Sequence, residues 1–139
     1  MAFSNPFYFL RHGETGWNSI RKTQGQYDSS LNDRGREQAV RAGEILANEP
    51  LERIVSSPLK RVRHTAEAVA HHHDVEITFD DDLMECNLGD MQGQPNGPWL
   101  SDYWVGEFDP PNGETFRTFA NRVWGAMRRA ADLGPNTLI

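Results

Sequence analysis

Short apolar runs alternate with helix-period segments along this chain, and few architectures accommodate that order. Residues 6–12 are aromatic and apolar and predict a first strand, while residues 13–30 are polar, contain glycine and predict loop. From Asn32 the period changes. Ala39, Ala42, Gly43 and Leu46 share one helical face, with Asn32 as N-cap, Leu31 as a hydrophobic staple and Pro50 as the stop. Arg53–Ser56 predicts a second strand, and Ser57-Pro58 a second helix start with Ser at the cap and Pro in the first turn. Leu59, Val62, Ala66 and Val69 form the apolar stripe of that helix. Residues 75–79 alternate and predict a third strand.

Residues 86–113 are rich in glycine, proline and aromatic side chains and read as a long excursion, with a short helix near Trp99–Trp104. A strongly amphipathic helix follows, with Phe116, Phe119, Ala120, Val123, Met127 and Ala130 on one face and Gly134-Pro135 at its end. Asn136–Ile139 begins a further strand. Alternation of this kind implies an α/β fold, a three-layer α/β/α sandwich with a mostly parallel central sheet. At 139 residues the chain reads as a single domain, 1–139.

Composition excludes several classes. The formal net charge of −6 argues against non-specific nucleic-acid binding. No apolar stretch approaches a membrane span, and the N-terminus lacks the pattern of a secretory signal. Cys86 is the single cysteine, which fits a reducing, cytoplasmic setting, and without a Cys-x-x-Cys pair a thiolate metal site is not expected. His71-His72-His73 reads as a solvated helix end, where cationic groups suit the dipole. Asp80-Asp81-Asp82 reads as a solvated loop.

The chemistry concentrates where the first strand ends, at Arg11-His12-Gly13. A strand ending this way delivers an imidazole and a guanidinium to the carboxyl edge of a sheet, where ligands bind in open α/β folds. Arginine brings a permanent charge and a planar donor fork suited to phosphate oxygens. A neutral histidine keeps a ring lone pair that can attack phosphorus. Overall charge is negative, so a phosphate ester must be drawn in by local charge. Lys60, Arg61, Arg63 and His64 supply such a cluster at the start of the second long helix. A helix N-terminus with unpaired N–H groups favours phosphate, and an arginine there adds bidentate recognition.

The uninterrupted string Arg11-His12-Gly13-Glu14-Thr15-Gly16-Trp17-Asn18 resembles the signature of the histidine phosphatase superfamily, the phosphoglycerate-mutase-like family. The segment from Ser57 to Ala66 resembles that family's second block, and Arg61 matches its phosphate-binding arginine. Arg63 falls on another face and reads as solvated charge. Leu83-Met84-Glu85 through Gln92-Gly93 resembles a third block, whose glutamate, here Glu85, is usually the proton donor to the leaving oxygen. The resemblance assigns Asn18 to a phosphate oxygen and brings Gln24 and Gly25 toward the transferred group. Gly113-Glu114-Thr115 resembles a segment that often lies over the substrate; a helix cap by Thr115 explains the same residues equally well.

The resemblance also implies a second histidine in an Ala-His-Gly block, following a strand that begins much like Asn136–Ile139. Nothing follows Ile139 here, and the expectation is a domain incomplete at its C-terminus. The implied activity is hydrolysis of a small phosphate monoester through a phosphohistidine on His12. Arg11, Arg61 and Asn18 would stabilise charge and Glu85 would protonate the leaving group, with no metal or cofactor. The implied partner is a small phosphorylated metabolite rather than nucleic acid or membrane. Two alternatives stand beside it: a mutase using the same intermediate, and a non-catalytic phosphate-binding module. The run from Gly93 to Gly113 is short for a mutase of the family.

Overall fold

The computed structural model describes residues 2–139. Four short strands, β1 (Phe7–Tyr8), β2 (Arg53–Ser56), β3 (Ile77–Phe79) and β4 (Thr137–Leu138), form one sheet in the order β1-β4-β2-β3. Every pairing is parallel, with Phe7 opposite Thr137, Arg53 opposite Thr137 and Ile54 opposite Ile77. The helices are α1 (Gly16–Ser19), α2 (Asp33–Leu46), α3 (Lys60–Ala70), α4 (Pro98–Trp104) and α5 (Phe116–Asp132).

Successive side chains of a strand point to opposite faces. On β2, Ile54 joins Leu51, Ala66, Val69 and Leu138 in a core on the α2–α3 side. Its neighbour Val55 lies on the other face beside Ala130 of α5. The sheet is thus sandwiched between helices, as the alternation predicts. Burying a side chain such as Val69 or Ile54 contributes about 1.5–3 kcal/mol. The 86–113 excursion makes a second, smaller core around Cys86, Leu88 and Tyr103, against which Trp99, Phe108, Phe116 and Phe119 pack.

Several boundaries differ from the sequence expectation, each for a local reason. β1 is shorter than 6–12: Pro6 has no N–H to give a ladder, which sets its start, and beyond Tyr8 a bond from Leu10 N–H to Ile139 O at 3.0 Å continues the pairing without a regular strand. α2 ends at Leu46, and a turn closed by Glu49 N–H on Leu46 O takes up the residues before Pro50. α3 starts at Lys60, with Leu59 rather than Ser57 at the cap position. Asp28, from the loop after α1, accepts the Lys60 N–H at 2.7 Å and does the work expected of Ser57. Asn32 caps α2 as predicted, accepting from Gly35 N at 2.8 Å. Asp80-Asp81-Asp82 is not simply solvated: Asp80 caps a short 3₁₀ turn, and Asp80 and Asp82 both accept from Arg129 of α5, at 2.9 and 2.8 Å.

Candidate active site

The carboxyl ends of β1 and β2 open into a cavity of about 340 Å³. Arg11, His12, Arg61 and Glu85 all line it, together with Ser57, Met84 and, from α5, Phe119, Val123 and Met127. Four residues read from three separate blocks of sequence therefore meet at one place. Parallel strands deliver their C-terminal ends to one sheet edge, and that edge gathers them.

His12 Nδ1 lies 2.6 Å from its neighbour's carbonyl oxygen, Gly13 O. A carbonyl can only accept, so Nδ1 carries the proton and the lone pair is left on Nε2. Burial holds the imidazole below its ordinary pKa of 6.5; the Gly13 hydrogen bond opposes that, and the charges of Arg61 and Arg11 reinforce it. The ring is thereby biased to the neutral, nucleophilic form at neutral pH. Gly13 itself is pinned, its N–H donating to Thr65 Oγ1 at 3.1 Å, while that hydroxyl donates to Arg61 O at 2.7 Å. The backbone under the histidine and the helix under the arginine are one hydrogen-bonded unit.

Arg61 is only 1% exposed, although it stands in the first turn of α3. Its Nη1 donates to Tyr27 O at 2.8 Å and its Nη2 to Gly25 O at 2.6 Å. Its Nε–H is buried and has no partner among the described residues. Burial lowers the guanidinium below its ordinary value and the Glu85 and Asp28 charges raise it, yet an arginine remains cationic. Arg11 is exposed and lines the same cavity. A buried cation with a free donor, beside a second cation and a ring lone pair, has the chemistry of an anion site.

Glu85 is exposed at the cavity, one carboxylate oxygen accepting from Cys86 N–H at 2.9 Å. Burial, and then the Glu85 charge, push the Cys86 thiol up, so it stays protonated and is no competitor as nucleophile. Among the described residues no group of three or more His, Cys, Asp or Glu side chains is placed to hold a metal ion. No helix among them is long and apolar enough to cross a membrane.

Residues 7–139 match the histidine phosphatase superfamily, branch 1. This chain belongs to that family. Among its curated relatives, a probable phosphoglycerate mutase, GpmB, of Citrobacter koseri is 36% identical over 135 residues, covering 91% of this chain and 63% of that protein. The chain thus spans less than two thirds of the length of the curated relatives it matches. Among solved structures, Bacillus stearothermophilus YhfR superposes with a TM-score of 0.85 at 31% identity, covering 98% of this chain and 72% of that one. A mycobacterial glucosyl-3-phosphoglycerate phosphatase complexed with VO3 gives 0.81 at 30% identity, covering 94% and 73%.

Three of the residues drawn from the family resemblance do not line the cavity. Asn18 closes a capping box on α1, its Oδ1 accepting from Thr15 N–H at 3.0 Å, which leaves its amide N–H groups as the available donors. Gln24 is buried, its Oε1 held by Ser29 Oγ and, at 2.6 Å, by Thr15 Oγ1. Gly25 contributes its carbonyl to Arg61, and its φ of +54° is a conformation that glycine adopts without strain. Gly25 thus holds Arg61 directly, while Asn18 and Gln24 both bond to Thr15 in the loop before it.

Two further residues of this histidine phosphatase domain hold the loops around the site: Gln92, which closes the third motif block without a role having been read for it, and Arg122, which no sequence pattern marks. Gln92 Oε1 accepts from Gln26 N–H at 2.9 Å and from Leu88 N–H at 3.3 Å, joining the Gly25 turn to the Glu85 block. Arg122 grips the chain around Glu85 from α5. Nothing in hydrophobic period marks either one. The Gly-Glu-Thr segment resolves toward structure: Thr115 caps α5, accepting from Thr118 N–H at 3.1 Å, and Glu114 pairs with Arg122.

Proposed function

We propose that the protein is a phosphatase of small phosphate monoesters, working through a phosphohistidine on His12. The observation that carries this reading is the fixed tautomer: Nδ1–H on Gly13 O leaves the Nε2 lone pair in a cavity shared with Arg11 and Arg61. Nε2 attacks phosphorus, the bond from phosphorus to the ester oxygen breaks, and that oxygen takes a proton from Glu85. The Glu85 carboxylate then takes a proton from water, whose oxygen attacks phosphorus; the P–Nε2 bond breaks, the lone pair returns to Nε2 and phosphate leaves. Arg11 and the free Nε–H of Arg61 are assigned to the oxygens on which charge collects; for Asn18, outside the cavity, that role rests on the family resemblance alone. A binding module would need neither a nucleophile nor an acid.

A mutase is the second reading, favoured by the name of the GpmB relatives. It would return the phosphoryl group to another hydroxyl of the substrate rather than to water. The short run from Gly93 to Gly113 favours hydrolysis. Glycerate phosphates, a chemistry shared by the names of the GpmB and glucosyl-3-phosphoglycerate phosphatase relatives, are the substrates to try first. The test is to incubate the full-length protein with 2- and 3-phosphoglycerate and an aryl phosphate. The phosphatase reading expects inorganic phosphate with little isomer; rapid isomerisation without phosphate release would replace it with the mutase.

A further inference from the structure

The Arg122 guanidinium uses its whole donor fork on one stretch of chain and its counter-ion. Nη1 donates to Asp82 O at 2.8 Å and to Met84 O at 2.9 Å, and Nη2 to Glu85 O at 3.3 Å. Nη2 also reaches Glu114 Oε1 at 2.5 Å and Nε reaches Glu114 Oε2 at 3.3 Å. Glu114 continues the grip past Glu85. Its Oε1 accepts from Asn87 N–H at 2.8 Å, and its own N–H donates to Asn87 O at 2.8 Å. Residues 82, 84, 85 and 87 are therefore all tied, by backbone atoms, to one largely buried ion pair.

The segment held this way ends in a side chain that needs it. Glu85 is exposed at the cavity, and one of its oxygens accepts from the neighbouring Cys86 N–H. Its backbone lies between two short 3₁₀ turns, Asp81–Leu83 and Gly89–Met91, outside any element that would set its direction. Arg122 does not line the cavity, although Phe119, Val123 and Met127 of the same helix do. Arg122 touches the cavity wall through the backbone of Met84 and Glu85 and through the Phe119 ring, over which its guanidinium lies at 5.5 Å, and of these only Glu85 carries an ionisable group. A lysine could not substitute, because a single ammonium cannot span three carbonyls and a carboxylate in fork geometry.

We propose that Arg122, with Glu114 as its counter-ion, is the positioning residue for the carboxyl of Glu85, aiming it at the leaving oxygen. The role rests on the reading of Glu85 as the acid. Positioned acids matter most for poor leaving groups, because an activated phenol departs without a proton.

The experiment compares kcat/KM for an alkyl phosphate and for p-nitrophenyl phosphate in the full-length protein, with Arg122→Gln, Glu85→Gln and the double variant. Arg122→Gln is expected to lower the alkyl value by ~10²-fold, the scale of a reacting group displaced by an ångström, and to spare the aryl value. The double variant is expected to lose no more than Glu85→Gln alone, since both changes disable one function. Equal loss on both substrates, or losses that multiply, would overturn the proposal. If Arg122→Gln fails to fold, Arg122→Lys is measured instead: a selective alkyl loss supports the role, and an unchanged substrate ratio overturns it. A Glu85→Gln variant with no selectivity would remove the acid reading itself, and the proposal with it. Selectivity in Glu85→Gln without selectivity at position 122 would remove the positioning role alone.

Discussion

Gly13 and Gly35 meet backbone against backbone where the end of the first strand crosses the first turn of α2. A Cβ on Gly13 would lie 2.4 Å from Gly35 O, and one on Gly35 would lie 1.9 Å from Glu14 O. Neither obstruction is a flexible side chain that can swing aside. The contact sets the path of the chain directly after His12.

Gly35→Ala is therefore expected to destabilise the protein, against the usual sign. Alanine ordinarily favours a helix over glycine by about 0.5–1 kcal/mol. Here the added methyl must push the backbone of residues 13–14 away, an overpacking cost of about 1–3 kcal/mol or more. Urea denaturation checks it. A variant as stable as the parent, or more so, would show that the close approach is not maintained.

Arg61→Ala is expected to lose stability as well as activity. Removing the guanidinium leaves the carbonyls of Gly25 and Tyr27 without their donor, at about 1–3 kcal/mol for each group left buried and unpaired. The rate is expected to fall by on the order of 10²–10³, as for loss of one donor to developing charge. Arg63→Ala is the control: Arg63 faces Glu67 of its own helix at 3.6 Å, and a pair of that kind contributes about 0.3–0.5 kcal/mol. Chemical denaturation and aryl phosphate turnover of both variants decide it. Equal effects at the two positions would contradict the assignment of helix faces.

The contrast at Arg61 shows how much of this molecule its sequence made legible. Alternating strands and helices imply a parallel sheet, and His12, Arg11, Arg61 and Glu85 stand at the strand ends or in the motif blocks that such a sheet gathers. The motif block marks Arg61, but nothing in the sequence marks its burial. The acceptors that bury it, Gly25 O and Tyr27 O, are backbone atoms of a loop whose path no local pattern encodes. The cap of α3 was misplaced for the same reason, since Asp28 reaches it from 32 residues away. Arg122, and the role of Gln92 within its motif block, stayed hidden because each binds main-chain groups of distant loops. Side-chain periodicity reports on burial of apolar faces and is silent about which carbonyls a guanidinium will find.

Protonation of His12 gives a pH test with a definite sign. Burial lowers its pKa from 6.5, with the charges of Arg61 and Arg11 adding to that effect. The neutral form therefore persists as pH falls through 6.5, and the nucleophile is lost only at lower pH. An NMR titration of the His12 imidazole is expected to give a midpoint below 6.5. In Arg61→Gln the midpoint is expected to rise, because a neighbouring positive charge has gone. A midpoint above 6.5 in the parent protein would contradict the electrostatic account.

The central claim is that His12 becomes covalently phosphorylated during turnover. Its most direct test is rapid acid-free quenching of the full-length protein with a labelled phosphate monoester, followed by peptide mass spectrometry. The account predicts an acid-labile, base-stable phosphoryl group on the peptide containing His12, absent from His12→Ala, which is also expected to lose turnover. Normal turnover in His12→Ala, or a phosphoryl group trapped on any other residue, would contradict it.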